Sequence, residues 1–268
     1  MRLQPDLFVP SLGFNHVDGL IRAYSRGTAP NVGTSGFRLE TIGPLAELYQ
    51  FDPERIAGPA SNLAWLDLGG QTDFIVALRA GRTRWLSNDG AFGYLSGAKL
   101  ACESTLQHFK TEPHLAALKA NMPSATAGQI GAAFGELIGN IIDHSAAIPS
   151  GIAAFRAKPS AFEFVVSDRG IGPLASLTSC AEYASMCDHG EALQAIIETG
   201  VSRFGAGTGH GNGFKPIFEK LADMSGQLRF RSGDAALTLD GRFGDKVKLQ
   251  VAQKPPIAGF FASVLVAV

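Results

Sequence analysis

Between residues 205 and 213 the chain places five glycines at alternate positions, Gly205-Ala-Gly207-Thr-Gly209-His-Gly211-Asn-Gly213. Such a run cannot be the interior of a helix or a strand, because glycine loses the most backbone freedom on ordering and has no side chain to bury. It is therefore a loop. The residues after it, about Phe214 to Met224, read as a helix, with Pro216 near its start, where a missing N–H costs little. A glycine loop that opens into a helix presents backbone N–H groups beside the positive end of the helix dipole, which suits phosphate oxygens. The other use of such a run, as a flexible linker, seldom leads straight into an amphipathic helix.

The chain has 268 residues, 46% apolar and 18% charged, which argues against disorder and coiled coil and leaves ample material for a core. Its net charge of −1 argues against a general nucleic-acid binder, and there is no substantial basic run to dock on an anionic membrane. Three cysteines, Cys102, Cys180 and Cys187, fit a reducing compartment better than a disulfide framework. Met1 to Asp6 lacks the basic-then-apolar pattern of a signal peptide. The longest apolar tract, Ala258 to Val268, covers 11 residues, short of the roughly 20 that a membrane-spanning helix needs. These features predict a soluble, cytoplasmic protein.

Periodicity places the remaining elements. Ile130, Phe134, Leu137, Ile138, Ile141 and Ile142 recur at three- and four-residue intervals and predict a helix over Ala125 to Ser145. Phe162 to Val166 reads as a buried strand closed by Asp168-Arg169-Gly170, and Glu191 to Thr199 as a helix. Strands are expected at Leu228 to Arg231, Ala236 to Leu239, Lys246 to Ala252 and Phe260 to Val268, the last ones antiparallel. Ala64 to Leu68 and Phe74 to Leu78 read as short strands or as a strand and a helix start, and residues 27–36 as a loop. Leu95 to Leu118 has helical spacing interrupted at Pro113. A boundary near residue 110 separates a smaller N-terminal α/β or α+β domain, 1–110, from a larger α/β domain, 111–268.

Two segments of the larger domain add chemistry to the glycine loop. Glu136, Asn140 and Asp143 share one face of the predicted helix, where oxygen donors could hold a hydrated Mg²⁺ and orient a water. Such a trio is also what a solvated helix face usually carries. Asp168-Arg169-Gly170-Ile171-Gly172 follows an apolar strand, so its carboxylate could accept from a ligand amine while two glycines let the backbone approach a ring. An ordinary Asp-led turn has the same letters. Cys180, Cys187 and His189 lack the Cys-x2-Cys spacing of a zinc site and read as ordinary residues.

In their order and spacing, the three segments resemble the N, G1 and G2 boxes of the GHKL superfamily, the nucleotide-binding (Bergerat) fold of DNA gyrase, Hsp90, histidine kinases and MutL. The resemblance covers about residues 115–268 and continues through Ser225-Gly226-Gln-Leu228-Arg-Phe230 and Gly259-Phe-Phe-Ala-Ser-Val-Leu-Val. It implies an α/β two-layer sandwich whose mixed sheet is covered by helices, with ATP and Mg²⁺ as cofactors. Asn140 would be the metal ligand, Glu136 the general base on water, and Asp143 would match an aspartate that hydrolysing members often carry. Asp168 would accept from the adenine amine in a pocket shaped by Gly170 and Gly172. Gly207, Thr208, Gly209, His210, Gly211, Asn212 and Gly213 would contact the phosphates, and residues 174–204 would form a lid.

The implied activities are ATP hydrolysis, or transfer of the γ-phosphate to a Ser, Thr or His of a protein partner. A non-catalytic module that ATP or ADP gates for a regulatory partner is the alternative. The chain departs from the family at Arg169, where many members have a small or amidic residue, and no lysine of the kind hydrolysing members recruit is identified. His108 lies only 28 residues before Glu136, too near for a histidine-kinase dimerisation unit, and reads as a helix-surface residue. Leu66-Asp67-Leu68-Gly69-Gly70 faintly resembles the strand-to-turn element of small STAS-like regulatory domains.

Overall fold

The computed structural model describes residues 9–28, 32, 36–159, 161–199, 226–241 and 248–267. The chain divides after Arg82 into two units, and each is built differently.

In the N-terminal unit, short apolar strands alternate with helices. Helix α1 (Phe14–Ser25) precedes strand β1 (Phe37–Arg38), helices α2 (Ile42–Phe51) and α3 (Pro53–Ala57) follow it, and strand β2 (Leu66–Asp67) leads into α4 (Thr72–Arg79). β1 and β2 pair in parallel, Phe37 opposite Leu66, and Ser11 adds a parallel bridge to Arg38. Parallel neighbours cannot be joined by a tight turn, so the intervening helices are the crossovers. Close approach of the two strands depends on Gly36, whose φ is +65° and whose missing Cβ would lie 2.3 Å from the Trp65 carbonyl oxygen. The apolar faces of α1, α2 and α4 supply the core, with Val17, Ile21, Leu45, Leu48 and Ile75 buried.

The larger unit rests on a six-stranded sheet. Strands β3 (Arg84–Leu86) and β4 (Phe92–Ser96) precede helices α5 (Glu103–Lys119) and α6 (Ser124–His144). Strands β5 (Ile152–Lys158) and β6 (Ala161–Asp168), helices α7 (Gly172–Thr178) and α8 (His189–Thr199), and strands β7 (Gln227–Asp240) and β8 (Lys248–Ala267) follow. Their order is β3-β4-β5-β6-β8-β7, and every pairing is antiparallel. Among the described residues the sheet is therefore antiparallel where a mixed one is expected, and the parallel pairing found lies in the N-terminal unit. The units also part 28 residues before the expected start at residue 111, because β3 and β4 extend the sheet through β5.

One face of this sheet buries against helices. Phe155, Phe164, Val264 and Leu228 are successive cross-strand partners on that face. They share a core with Phe109 of α5, Phe134 of α6 and Leu193 of α8. Phe134 lies 5.8 Å from Phe109 and 5.5 Å from Phe164, ring centre to ring centre. Such close, tilted rings add to the burial of their apolar area. α5 passes through Pro113 without ending, so the interruption expected there does not occur.

β7 doubles back on itself. Fourteen extended residues would span about 46 Å, yet the N–H of Gly241 donates to the carbonyl of Gly226 over 2.8 Å, and the side chains of Gln227 and Asp240 meet at 3.2 Å. The fold-back falls at Ser232–Ala235, where the register with β8 breaks and Gly233 has φ +52°. The C-terminal part of β8 pairs with the first half and its N-terminal part with the second, so the four short strands read from the sequence are two strands that fold back together. Arg231, fully buried, fixes the turn by donating to the carbonyls of Ala235 (3.2 Å) and Pro255 (2.5 Å). Among the described residues no helix is long and apolar enough to cross a membrane.

Candidate functional site

α6 carries three stripes, and their separation follows from 100° per residue. Ile130, Phe134, Leu137, Ile138 and Ile141 face the core. Gly131 and Gly135 face α5, near enough for a Cβ at Gly131 to sit 3.5 Å from His114 and one at Gly135 to sit 3.8 Å from Lys110. Glu136, Asn140 and Asp143, spaced i, i+4 and i+7, lie on the remaining face, about 130° from the centre of the core stripe. Glu136 and Asp143 are exposed and Asn140 is half-buried. Glu136 has no hydrogen-bond or ion-pair partner among the described residues.

The C-terminal end of this helix meets the turn after β6. Ile171 N–H donates to the Ser145 carbonyl (3.0 Å), and a Cβ on Gly170 would lie 1.9 Å from that same oxygen. Arg169 N–H donates to Ser150 Oγ at 2.9 Å. Gly259, at φ +72°, presses from the sheet side, its absent Cβ 2.0 Å from the Asp168 carbonyl. Gly172, at φ +73°, completes the contact, its absent Cβ 3.0 Å from the Gly259 carbonyl and 2.9 Å from Ser232 Oγ. The space these glycines leave open is filled by the protein's own backbone. Gly170 and Gly172 thus act first by locking the turn against α6 and β8, and only through that could they shape a base pocket.

Asp168 is what this corner holds. It ends β6 opposite Phe260 of β8, which in turn pairs with Ser232 of β7. Cross-strand partners point to the same side, so Asp168 and Ser232 share the helix-covered face. Asp168 is 4% exposed, and burial pushes its carboxyl up to about 6, against the pull of the Gly170 and Phe260 backbone N–H groups. The Gly170 bond is 2.8 Å long, to Oδ1. A buried carboxylate held by backbone donors is a strong acceptor that pays a large desolvation cost, and such perturbed groups cluster at functional sites.

The fold thus brings Asp168, Gly170 and Gly172 to the end of α6 that carries Asp143. Asn140 and Glu136 lie back along the same helix, about 8 Å and 14 Å from Ser145 at 1.5 Å per residue. Gly207, Thr208, Gly209, His210, Gly211, Asn212 and Gly213 lie outside the described residues. Of the proposed lid, 174–204, α7 and α8 bury Leu177, Leu193 and Ile197, so these two helices pack into the fold, whereas the linker between them is largely exposed and residues 200–204 lie outside the described residues.

Sequence reasoning missed the far side of the corner. Ser232 is 1% exposed and its Oγ lacks a hydrogen-bond partner among the described residues, as does the buried Nδ1 of His189. The His189 ring covers Gly233, where a Cβ would be 2.3 Å away. Ser-Gly-Asp between two apolar runs was a readable turn signal, but nothing local marks His189 as its neighbour. Among the described residues no group of three or more His, Cys, Asp or Glu could hold a metal ion. A Mg²⁺ would accordingly need Asn140, waters and a ligand's own oxygens, the set this ion commonly takes. Cys180 and Cys187 are free thiols. Comparison of the chain with protein-family models, with curated proteins and with solved structures returned no match.

Proposed function

We propose that the larger unit is a Mg²⁺-dependent ATP-binding domain of the histidine-kinase-like (GHKL, Bergerat) type in a cytoplasmic regulatory protein. It would hydrolyse ATP or pass the γ-phosphate to a protein partner. The observation that carries this reading is Asp168: a buried carboxylate, held up to about 6 by desolvation, fixed by glycine contacts to the end of the helix that bears Glu136, Asn140 and Asp143. A buried acceptor of that kind suits the exocyclic amine of adenine, and its cost to the free protein is recovered when the amine donates. Asn140 would hold the Mg²⁺, which would neutralise phosphate charge, the main catalytic contribution in phosphoryl transfer. Glu136 would take a proton from water or from an acceptor hydroxyl.

One observation favours a second reading. Glu136 is exposed and nothing among the described residues orients it, whereas a general base must be held within reach of its proton. A nucleotide-gated module that binds ATP and a partner without chemistry fits that better. Calorimetric titration of the full chain with Mg-ATP tests both readings at their common step. Binding by the wild type, weakened more than about tenfold by Asp168→Asn (about 1.4 kcal/mol or more), is expected. No binding by the wild type would overturn them.

A further inference from the structure

The N-terminal unit contains a cleft of about 360 Å³, within the size range of small-ligand sites, lined among others by Tyr24, Arg55, Glu54, Asn62, Leu63 and Trp65. Its lining is mixed: Tyr24, Ile56, Ala60, Leu63 and Trp65 supply aromatic and apolar surface beside the polar Asp52, Glu54, Arg55 and Asn62, and some of those polar groups are already oriented. Arg55 stacks its guanidinium 4.0 Å over the Tyr24 ring, while its Nε donates to Asp52 Oδ2 at 3.2 Å. These contacts pin the planar group on a face and an edge. Its two Nη groups have no hydrogen-bond partner among the described residues. Asn62 spends its carbonyl on Ala64 N–H (2.9 Å), and its amide NH₂ is left to donate. Trp65 is held by its own carbonyl, which accepts from Phe37 N–H at 2.8 Å, and by the edge-on Phe37 ring.

The charges then choose among ligands. A free guanidinium edge and an amide NH₂ call for a carboxylate, which the Arg fork can take in bidentate fashion. Asp52 and Glu54 against Arg55 leave the cleft one negative charge in excess, so a phosphate dianion would be repelled. Glu54 is exposed, has no ion-pair partner among the described residues, and offers a place for an ammonium group. A ligand with one carboxylate, one ammonium and an apolar body satisfies all of these groups. We propose that this cleft binds a free α-amino acid with an apolar side chain, its carboxylate on Arg55 and Asn62, its ammonium on Glu54, and its side chain among Tyr24, Leu63 and Trp65.

The test is calorimetry on the full chain with L-leucine and L-phenylalanine, beside 4-methylpentanoate (leucine without its amine) and isoamylamine (without its carboxylate). The expected result is binding of at least one amino acid with Kd below about 1 mM, and binding of either truncated analogue at least tenfold weaker. Arg55→Lys keeps the charge but loses the fork and should weaken amino-acid binding about tenfold. Glu54→Gln should weaken it about fivefold without weakening the binding of 4-methylpentanoate, whose carboxylate then loses a neighbouring like charge. Both side chains are largely exposed, so unchanged circular dichroism and melting would show that the variants are folded. Absence of binding by both amino acids, equal binding of a truncated analogue, or wild-type affinity in Arg55→Lys would overturn the proposal.

Discussion

The two ends of β6 carry buried carboxylates under opposite conditions. Glu163, near its start, is 3% exposed and faces two cations, Arg156 at 3.6 Å and Lys158 at 3.9 Å. Asp168, at its end, is equally buried but is held by the backbone N–H groups of Gly170 and Phe260, and its carboxyl is pushed up to about 6. The two residues also face opposite sides of the sheet, since an odd number of positions separates them. A carboxylate that serves the fold arrives with its counter-charge on the neighbouring strand. One kept charged by backbone donors costs the fold stability, and that cost, at a sheet end where three glycines hold it, is what the proposed adenine-binding role would recover when a ligand amine donates.

Replacing Asp168 should give the largest effect, and with an unusual sign. Raising a carboxyl from 3.8 to about 6 costs the folded state about 3 kcal/mol at neutral pH. Asp168→Asn keeps an acceptor for Gly170 N–H and removes the charge. It should therefore raise the unfolding free energy by up to about 3 kcal/mol at pH 7 while weakening ATP binding. Urea unfolding checks this; a destabilised variant would mean that the carboxylate is structural. Glu163→Gln should move the other way by about 2 kcal/mol, because it strands Arg156 and Lys158 beside each other on a largely buried face. The same sign for both substitutions would dissolve the contrast between the two ends of the strand.

A pH series sharpens the same point without comparing different side chains. Because the folded value for Asp168 lies above the unfolded one, the folded state binds the extra proton between about pH 4 and pH 6. Its contribution to stability is full below about pH 4 and is lost as the pH rises through 6. Wild type minus Asp168→Asn should show that fall of up to about 3 kcal/mol across the window, and a flat difference above it. Affinity for ATP should run the other way, falling as the acceptor is protonated below about pH 6. A difference curve that stays level from pH 4 to 7 would show that the carboxyl titrates normally.

The sequence was legible where a pattern repeats within one element. α6 announces itself through apolar residues every three or four positions, and the observed helix begins and ends within one residue of the expected one. β6 and the short halves of β7 and β8 were legible as apolar runs between turn residues. Partnership was not legible. β3 and β4 are short, and what makes them strands is the pairing of β4 with β5 some sixty residues on and of β3 with β4. Arg231 looks like a solvent-facing charge within a strand, and only the fold-back brings its guanidinium onto carbonyls 4 and 24 residues away. The site divides in the same way: Asp168 and the α6 trio could be named from local signals, whereas Gly259, Ser232 and His189 join them through the meeting of β6, β8 and the doubled β7.

The smallest structural effect belongs to Glu136, and that is what makes it decisive for chemistry. It sits on the exposed stripe of α6, away from the core, so Glu136→Ala replaces one good helix former by a better one and should alter stability by no more than about 0.5 kcal/mol. Any loss of turnover in that variant would then be chemical in origin. The measurement is release of inorganic phosphate from Mg-ATP by wild type and Glu136→Ala, with nucleotide binding followed in parallel. Turnover by the wild type that falls at least a hundredfold in the variant, with affinity retained, would fit a general base whose contribution is usually about 10² to 10⁴. Equal turnover in both would exclude Glu136 as the base. Binding without turnover in either would favour the nucleotide-gated module, in which Asp168 remains the feature that the nucleotide reads and the α6 stripe is only a solvated helix face.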